Sequence, residues 1–172
     1  MNNYICARNI SLLSLLLMTL STYTTTVDAE QFEGSKTIIR GSTSLQEGAA
    51  ALQAGRIEEG IHLTLEGLKT EPTVQDRSIG HSNACAGYVT LRRWADALVQ
   101  CDAALALDTS NWHAYNNRAA IYIKQGLFEL GYQDLQAGLA LAPNAKLLHE
   151  SMRILEKNRL LSGQQSQKAV TS

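Results

Sequence analysis

The chain has 172 residues, of which 45% are hydrophobic, with 15 basic against 16 acidic side chains and only two prolines. That length supports one small domain with a genuine core, and the hydrophobic share excludes an intrinsically disordered chain. The near-neutral balance argues against a polyanion as partner, so no nucleic acid is expected.

At the N-terminus, Arg8 precedes an apolar run from Ile10 to Leu20, and polar residues follow, ending in Val27-Asp28-Ala29. This is the order of a secretory leader, and the run is about half the roughly 20 residues that a membrane-spanning helix needs. Short side chains at Val27 and Ala29 suit signal peptidase, so residues 1–29 are predicted to be a signal peptide cut before Glu30. The expected location is outside the cytoplasm: periplasmic in a Gram-negative bacterium, secreted otherwise, with no stable membrane insertion after cleavage. A helix buried in the fold and an uncleaved anchor are the competing readings of the same run. Residues 30–40 are predicted to form a flexible N-terminal segment.

From residue 55 onward the sequence repeats itself. Gly55 to Pro72, Arg92 to Thr109 and Gly126 to Pro143 align column by column, in steps of 37 and then 34 residues. One column is bulky (Ile57, Trp94, Phe128), two are small (Gly60, Ala97, Gly131 and Gly67, Ala104, Gly138), and a fourth is leucine (Leu68, Leu105, Leu139). Small residues let two helices approach closely while bulky ones fill the wider gap near a turn. Glycine inside a helix costs about 1 kcal/mol against alanine, so these glycines should be compensated by close helix contact.

Caps and breakers place the helices. Ser44 and Glu47 stand at capping-box spacing for a first helix running to Ala54, and a second ends before Pro72. The next two are predicted near 77–91 and 94–107, with Gln75-Asp76-Arg77 as an insertion between repeats. Ser110 or Asn111 can cap a fifth helix running to Gln125, and a sixth ends before Pro143. Lys146 to Leu161 reads as an amphipathic capping helix with Leu147, Leu148, Met152, Leu155 and Leu160 toward the core, and residues 162–172 as a disordered tail.

A step of 34 with these columns resembles the tetratricopeptide repeat (TPR) family over about 105 residues. The third repeat matches best, through Tyr122, Gly126, Phe128, Gly131, Gly138 and Pro143. The second has Arg92 at the usual turn glycine and Thr109 at the usual proline, and the first places Ala51 in an aromatic slot. The resemblance implies an all-α fold: a right-handed superhelical stack of three helix-turn-helix repeats (41–74, 78–111, 112–145) plus the capping helix 146–161. It also implies a protein-protein interaction scaffold that holds a peptide or protein in its concave groove. An envelope subunit that assembles through the ends of the stack is the alternative, and self-association stays open.

In the family's pattern the groove slots fall here on Gln46, Gln53, Asn83, Thr90, His113, Asn116, Asn117 and Lys124, with Ala49, Ala86 and Ala120 as floor. Amides at these slots could pair with a ligand backbone through donor and acceptor alike. Asn83 matches one slot of the family's clamp for acidic C-termini, but Leu45, His113 and Asn117 stand where its cations belong, so an acidic C-terminus is not the expected ligand.

Cys85 and Cys101 are equidistant from residue 93 in the turn of the second hairpin, so their side chains could face one another. A bridge of that span would stabilise by roughly 3 kcal/mol; two unlinked small residues in slots that want small residues is the other reading. His62, His81, His113 and His149 stand singly, without metal-ligand spacing, and no nucleophile or phosphate-loop motif occurs. No catalytic residues, no metal and no cofactor are therefore expected.

Overall fold

The computed structural model describes residue 37, residues 43–70 and residues 72–170, with side chains through 164, all within one compact unit. The expected leader 1–29 and, apart from Thr37, the segment 30–40 lie outside the described residues.

Among the described residues seven helices follow one another: α1 (Thr43–Gln53), α2 (Ile57–Gly67), α3 (Val74–Thr90), α4 (Trp94–Leu107), α5 (Trp112–Lys124), α6 (Phe128–Leu141) and α7 (Lys146–Val170). No strand occurs among the described residues. The fold is an all-α stack of helical hairpins, α1/α2, α3/α4 and α5/α6, closed by α7. Two helix starts differ from expectation. The insertion Gln75-Asp76-Arg77 extends α3 at its start, because Thr73 caps it: its hydroxyl accepts from the Asp76 amide at 3.1 Å. Helix α1 begins at Thr43, which puts Ser44 inside the first turn rather than at a capping box. At α5 the cap is Asn111, whose side chain accepts from the Ala114 amide at 3.2 Å.

Each hairpin turns on one residue in the left-handed region: Gly55 (φ 78°), Arg92 (φ 57°) and Gly126 (φ 76°). Two of the three are glycine, which adopts this conformation without a Cβ clash. Arg92 holds the same place in the repeat and adopts the same backbone, which for a residue with a Cβ costs roughly 1 kcal/mol.

The small columns act at the helix crossings. A Cβ on Gly60 would stand 2.7 Å from the backbone nitrogen of Leu52, so α1 and α2 are in backbone contact there. Ala97 and Ala104 are fully buried in the equivalent places. The third crossing is looser, since a Cβ on Gly131 would meet Ile123 Cγ1 at 3.2 Å and the Ala119 carbonyl at 3.4 Å. The core runs through these crossings, from Leu52, Ile61, Cys85 and Tyr88 through Ala97, Cys101 and Ile121 to a second cluster around Leu135, Leu148 and Leu155.

Helix α7 packs on α5 and α6 through Leu148, Ser151 and Leu155, all buried. Leu160, expected on the packed face, is 58% exposed, because the buried stripe follows 148, 151 and 155 and leaves position 160 outside it. The helix also continues to Val170 rather than ending at Leu161. Residues 162–170 contain no proline, and Gly163 is their only strong breaker, so the helix continues past the expected start of a disordered tail at 162.

Candidate functional site

The odd-numbered helices touch in a row, α1 with α3, α3 with α5 and α5 with α7, whereas α2, α4 and α6 do not touch one another. A stack in contact along one row and splayed along the other curves toward the row in contact. The concave side is therefore formed by α1, α3 and α5, and the eight groove candidates lie on these helices.

Five of the eight are accessible. Gln46, Gln53, Thr90 and Lys124 are exposed, and His113 is half-buried with its ring stacked on Trp112 at 3.5 Å. The three asparagines are not: Asn83, Asn116 and Asn117 are at most 1% exposed. The Asn117 side-chain amide donates to the Ser82 carbonyl at 3.1 Å, and Asn116 accepts from the Ser151 hydroxyl at 2.7 Å. Asn111 extends the series, donating to the Ser78 hydroxyl at 2.9 Å. The expectation that Asn83, Asn116 and Asn117 face a ligand is thus corrected. Inner helices close enough to touch must satisfy any polar group trapped between them, and Asn111, Asn116 and Asn117 do so by bonding one inner helix to the next.

Two of the accessible candidates meet at one place. Gln53 and Thr90, with Leu52, Ile57, Ala86, Gly87 and Thr37, line a cleft of about 300 Å³ between the ends of α1 and α3. Its floor is apolar and its rim carries an amide and a hydroxyl. No charged side chain lines it among the described residues. Gln46, His113 and Lys124 lie elsewhere and are not gathered into this cleft.

The cysteine pair lies behind the cleft. Cys85 on α3 and Cys101 on α4 are both fully buried, with Cα atoms 5.3 Å apart and the sulfurs at bonding distance. A Cα separation of 5.3 Å lies within the range a disulfide spans, and the fully buried Ala97 and Ala104 keep the second hairpin closely packed around it.

One cluster escaped the sequence reading. The Arg118 guanidinium donates to both oxygens of Asp134 at 2.8 and 2.7 Å and to Asp102 at 2.6 Å, tying α5 to α6 and to α4. Hydrogen bonds to these carboxylates raise the arginine's pKa above its ordinary value, and burial pushes the neighbouring Tyr122 hydroxyl up. A signal existed: Arg118 and Asp134 are equidistant from Gly126, the same relation that pairs Cys85 and Cys101 about residue 93. With the guanidinium bonded to both carboxylates, the cluster holds these three helices together. Elsewhere His81 Nδ1 pairs with Gln100 at 2.8 Å and His149 Nε2 with the Pro143 carbonyl at 2.8 Å.

Fold and site together define a class, a TPR-like helical repeat stack with a neutral cleft on its concave side. No family model matches the chain. Among solved structures, the first TPR domain of human RPAP3 has a TM-score of 0.63 at 24% identity, covering 72% of this chain and 94% of that one. The Arabidopsis OM64 TPR domain has a TM-score of 0.60 at 20% identity, covering 66% and 92%. The first TPR of Spaghetti (RPAP3), bound to the HSP90 peptide SRMEEVD, has a TM-score of 0.59 at 23% identity, covering 66% and 88%. At these identities the likeness is one of fold. Among curated proteins, mouse sperm-associated antigen 1 is 29% identical over 112 residues, which are 65% of this chain but only 12% of that protein. The rat protein of the same name is 28% identical over 111 residues, again 12% of its length.

Proposed function

We propose that this chain is an exported interaction scaffold that holds an extended, uncharged segment of a partner polypeptide in the cleft between α1 and α3. The observation that carries the reading is the composition of that cleft: Leu52, Ile57 and Ala86 provide an apolar floor, while Gln53 and Thr90 stand at the rim with hydrogen-bonding groups. Such a surface pairs with a backbone and accepts a small side chain. A solved TPR neighbour holds an HSP90 peptide, which supports polypeptide as the ligand class. The ligand differs in charge, because Leu45 and Asn117, two of the residues at the clamp's cation slots, are here buried.

End-to-end assembly is the weaker alternative at the C-terminal edge. Glu156 and Arg159, paired to each other at 3.1 Å, occupy the exposed side of α7 where a further repeat would have to pack. Desolvating that pair would cost more than an exposed ion pair returns.

Peptides selected from a display library against the processed chain test the reading. They should lose binding at least tenfold to a Gln53→Arg/Thr90→Arg variant that keeps its unfolding midpoint; equal binding to the variant would reject the cleft. Export rests on the leader-like order of residues 1–29 and on a cysteine pair suited to an oxidising compartment. Protein recovered from its native compartment should begin at Glu30 and take up no alkyl group without reductant. Retention of residues 1–29 would reject the cleaved leader, uptake of two alkyl groups at Cys85 and Cys101 would reject the bridge, and recovery of the chain from the cytoplasm alone would reject export.

A further inference from the structure

The two polar side chains on the rim of the α1/α3 cleft are already partly committed. The Thr90 hydroxyl donates to the backbone carbonyl of Ala86, one turn earlier on α3, at 3.0 Å. A hydroxyl has one proton and two lone pairs, so with that proton engaged Thr90 meets a ligand as an acceptor. Turning the proton toward a ligand carbonyl would exchange one hydrogen bond for another and gain little. Accepting from a ligand N–H adds a bond and breaks none. At Gln53 one N–H of the side-chain amide is directed at the Thr37 carbonyl, 3.4 Å away, while Oε1 is the acceptor end of the same amide. Thr90 and Gln53 both line the cleft, and no cationic side chain lines it among the described residues.

We propose that Thr90 sets the specificity of the cleft by requiring a hydrogen-bond donor. The segment held there presents a backbone N–H to Thr90 Oγ1, and proline or an acidic residue is refused at that position. The proposal rests on the cleft being a polypeptide site and adds the polarity with which the polypeptide is read. Proline has no N–H to offer, and a carboxylate brings only lone pairs to face those of the hydroxyl. Successive residues of an extended segment face opposite ways, so one fixed acceptor also restricts the register to alternate residues. The floor of Leu52, Ile57 and Ala86 then reads the size of the side chain, and Thr90 reads the backbone beside it.

Isothermal titration of the full chain with one peptide selected from a display library tests this. The peptide is also made as a set in which a single backbone N–H at a time is replaced by an ester oxygen. Against the wild-type chain one of these esters should weaken binding about threefold to tenfold, the loss of one hydrogen bond. The same ester should cost less than about twofold against Thr90→Val, which keeps the side-chain shape and removes the acceptor. Thr90→Ser, which keeps the hydroxyl, should bring the full cost back, and all three chains should share one unfolding midpoint. Proline at that peptide position should weaken binding to the wild-type chain by about tenfold or more. If every ester costs as much against Thr90→Val as against the wild-type chain, the donor requirement is overturned. In that case a loss of the parent peptide to Gln53→Arg/Thr90→Arg still leaves the cleft as the binding site. If the parent peptide binds that arginine variant as tightly as the wild-type chain, the cleft and the donor requirement fall together.

Discussion

The side-chain amide of Asn117 on α5 donates to the backbone carbonyl of Ser82 on α3 at 3.1 Å, inside the row of inner helices. With Asn111 on Ser78 and Ser151 on Asn116 it forms a polar ladder that joins successive repeats along their concave row. These bonds tie α5 to α3 and α7 to α5, and none of them reaches α1 or the cleft between α1 and α3.

Asn117→Ala should therefore act on stability rather than on recognition. It removes a buried hydrogen bond and leaves space behind, at a cost of about 1–3 kcal/mol. Urea unfolding followed by circular dichroism should show the loss, while peptide affinity at the α1/α3 cleft stays within about twofold at urea-free conditions where the variant is folded. A selective loss of peptide binding with unchanged unfolding would restore Asn117 to the groove.

The small columns predict two outcomes from one substitution. At Gly60 an added methyl meets the Leu52 backbone nitrogen at 2.7 Å, which cannot yield without moving a helix. Overpacking of about 1–3 kcal/mol should outweigh the roughly 1 kcal/mol that alanine gains in helix propensity, so Gly60→Ala destabilises. At Gly131 the nearest atom is a side-chain carbon at 3.2 Å, on an isoleucine able to shift by a few tenths of an ångström. Gly131→Ala should be neutral or stabilising by up to about 1 kcal/mol. Equal effects of the two substitutions on the unfolding midpoint would refute the asymmetry between the first and third crossings.

At Arg92 the residue type and the backbone disagree. Its φ of 57° matches those of Gly55 and Gly126 at the other turns. Arg92→Gly should stabilise the chain by up to about 0.5 kcal/mol, the steric cost removed less the entropy glycine loses on folding. A lower melting temperature for the glycine variant would show that the Arg92 side chain makes a contact worth more than the strain.

Much of the architecture was legible because a solenoid repeats its packing rule. The bulky and small columns recur at one spacing, so each helix crossing announces itself in sequence, and the cysteine pair follows from equal distance to a turn. The site was less legible. Asn83, Asn116 and Asn117 stand on the helices that line the groove, but neighbouring positions on a helix differ by about 100° in direction. Whether an amide points into the open groove or into the seam between α3, α5 and α7 depends on how closely those helices approach. Thr37 could not be placed either, because nothing in its own sequence says which surface it touches.

Sequence alone determined the helical hairpins, their order, the glycine-type turns and the pairing of Cys85 with Cys101 as one of two readings, since each depends on short-range geometry that recurs with the repeat. The tertiary structure decided which polar residues are spent inside the stack and which remain on its concave face. It also put Gln53, Thr90 and the carbonyl of Thr37 at one cleft. Those outcomes depend on distances between helices far apart in the chain, and such distances are set by the packing of whole surfaces rather than by any local pattern of residues.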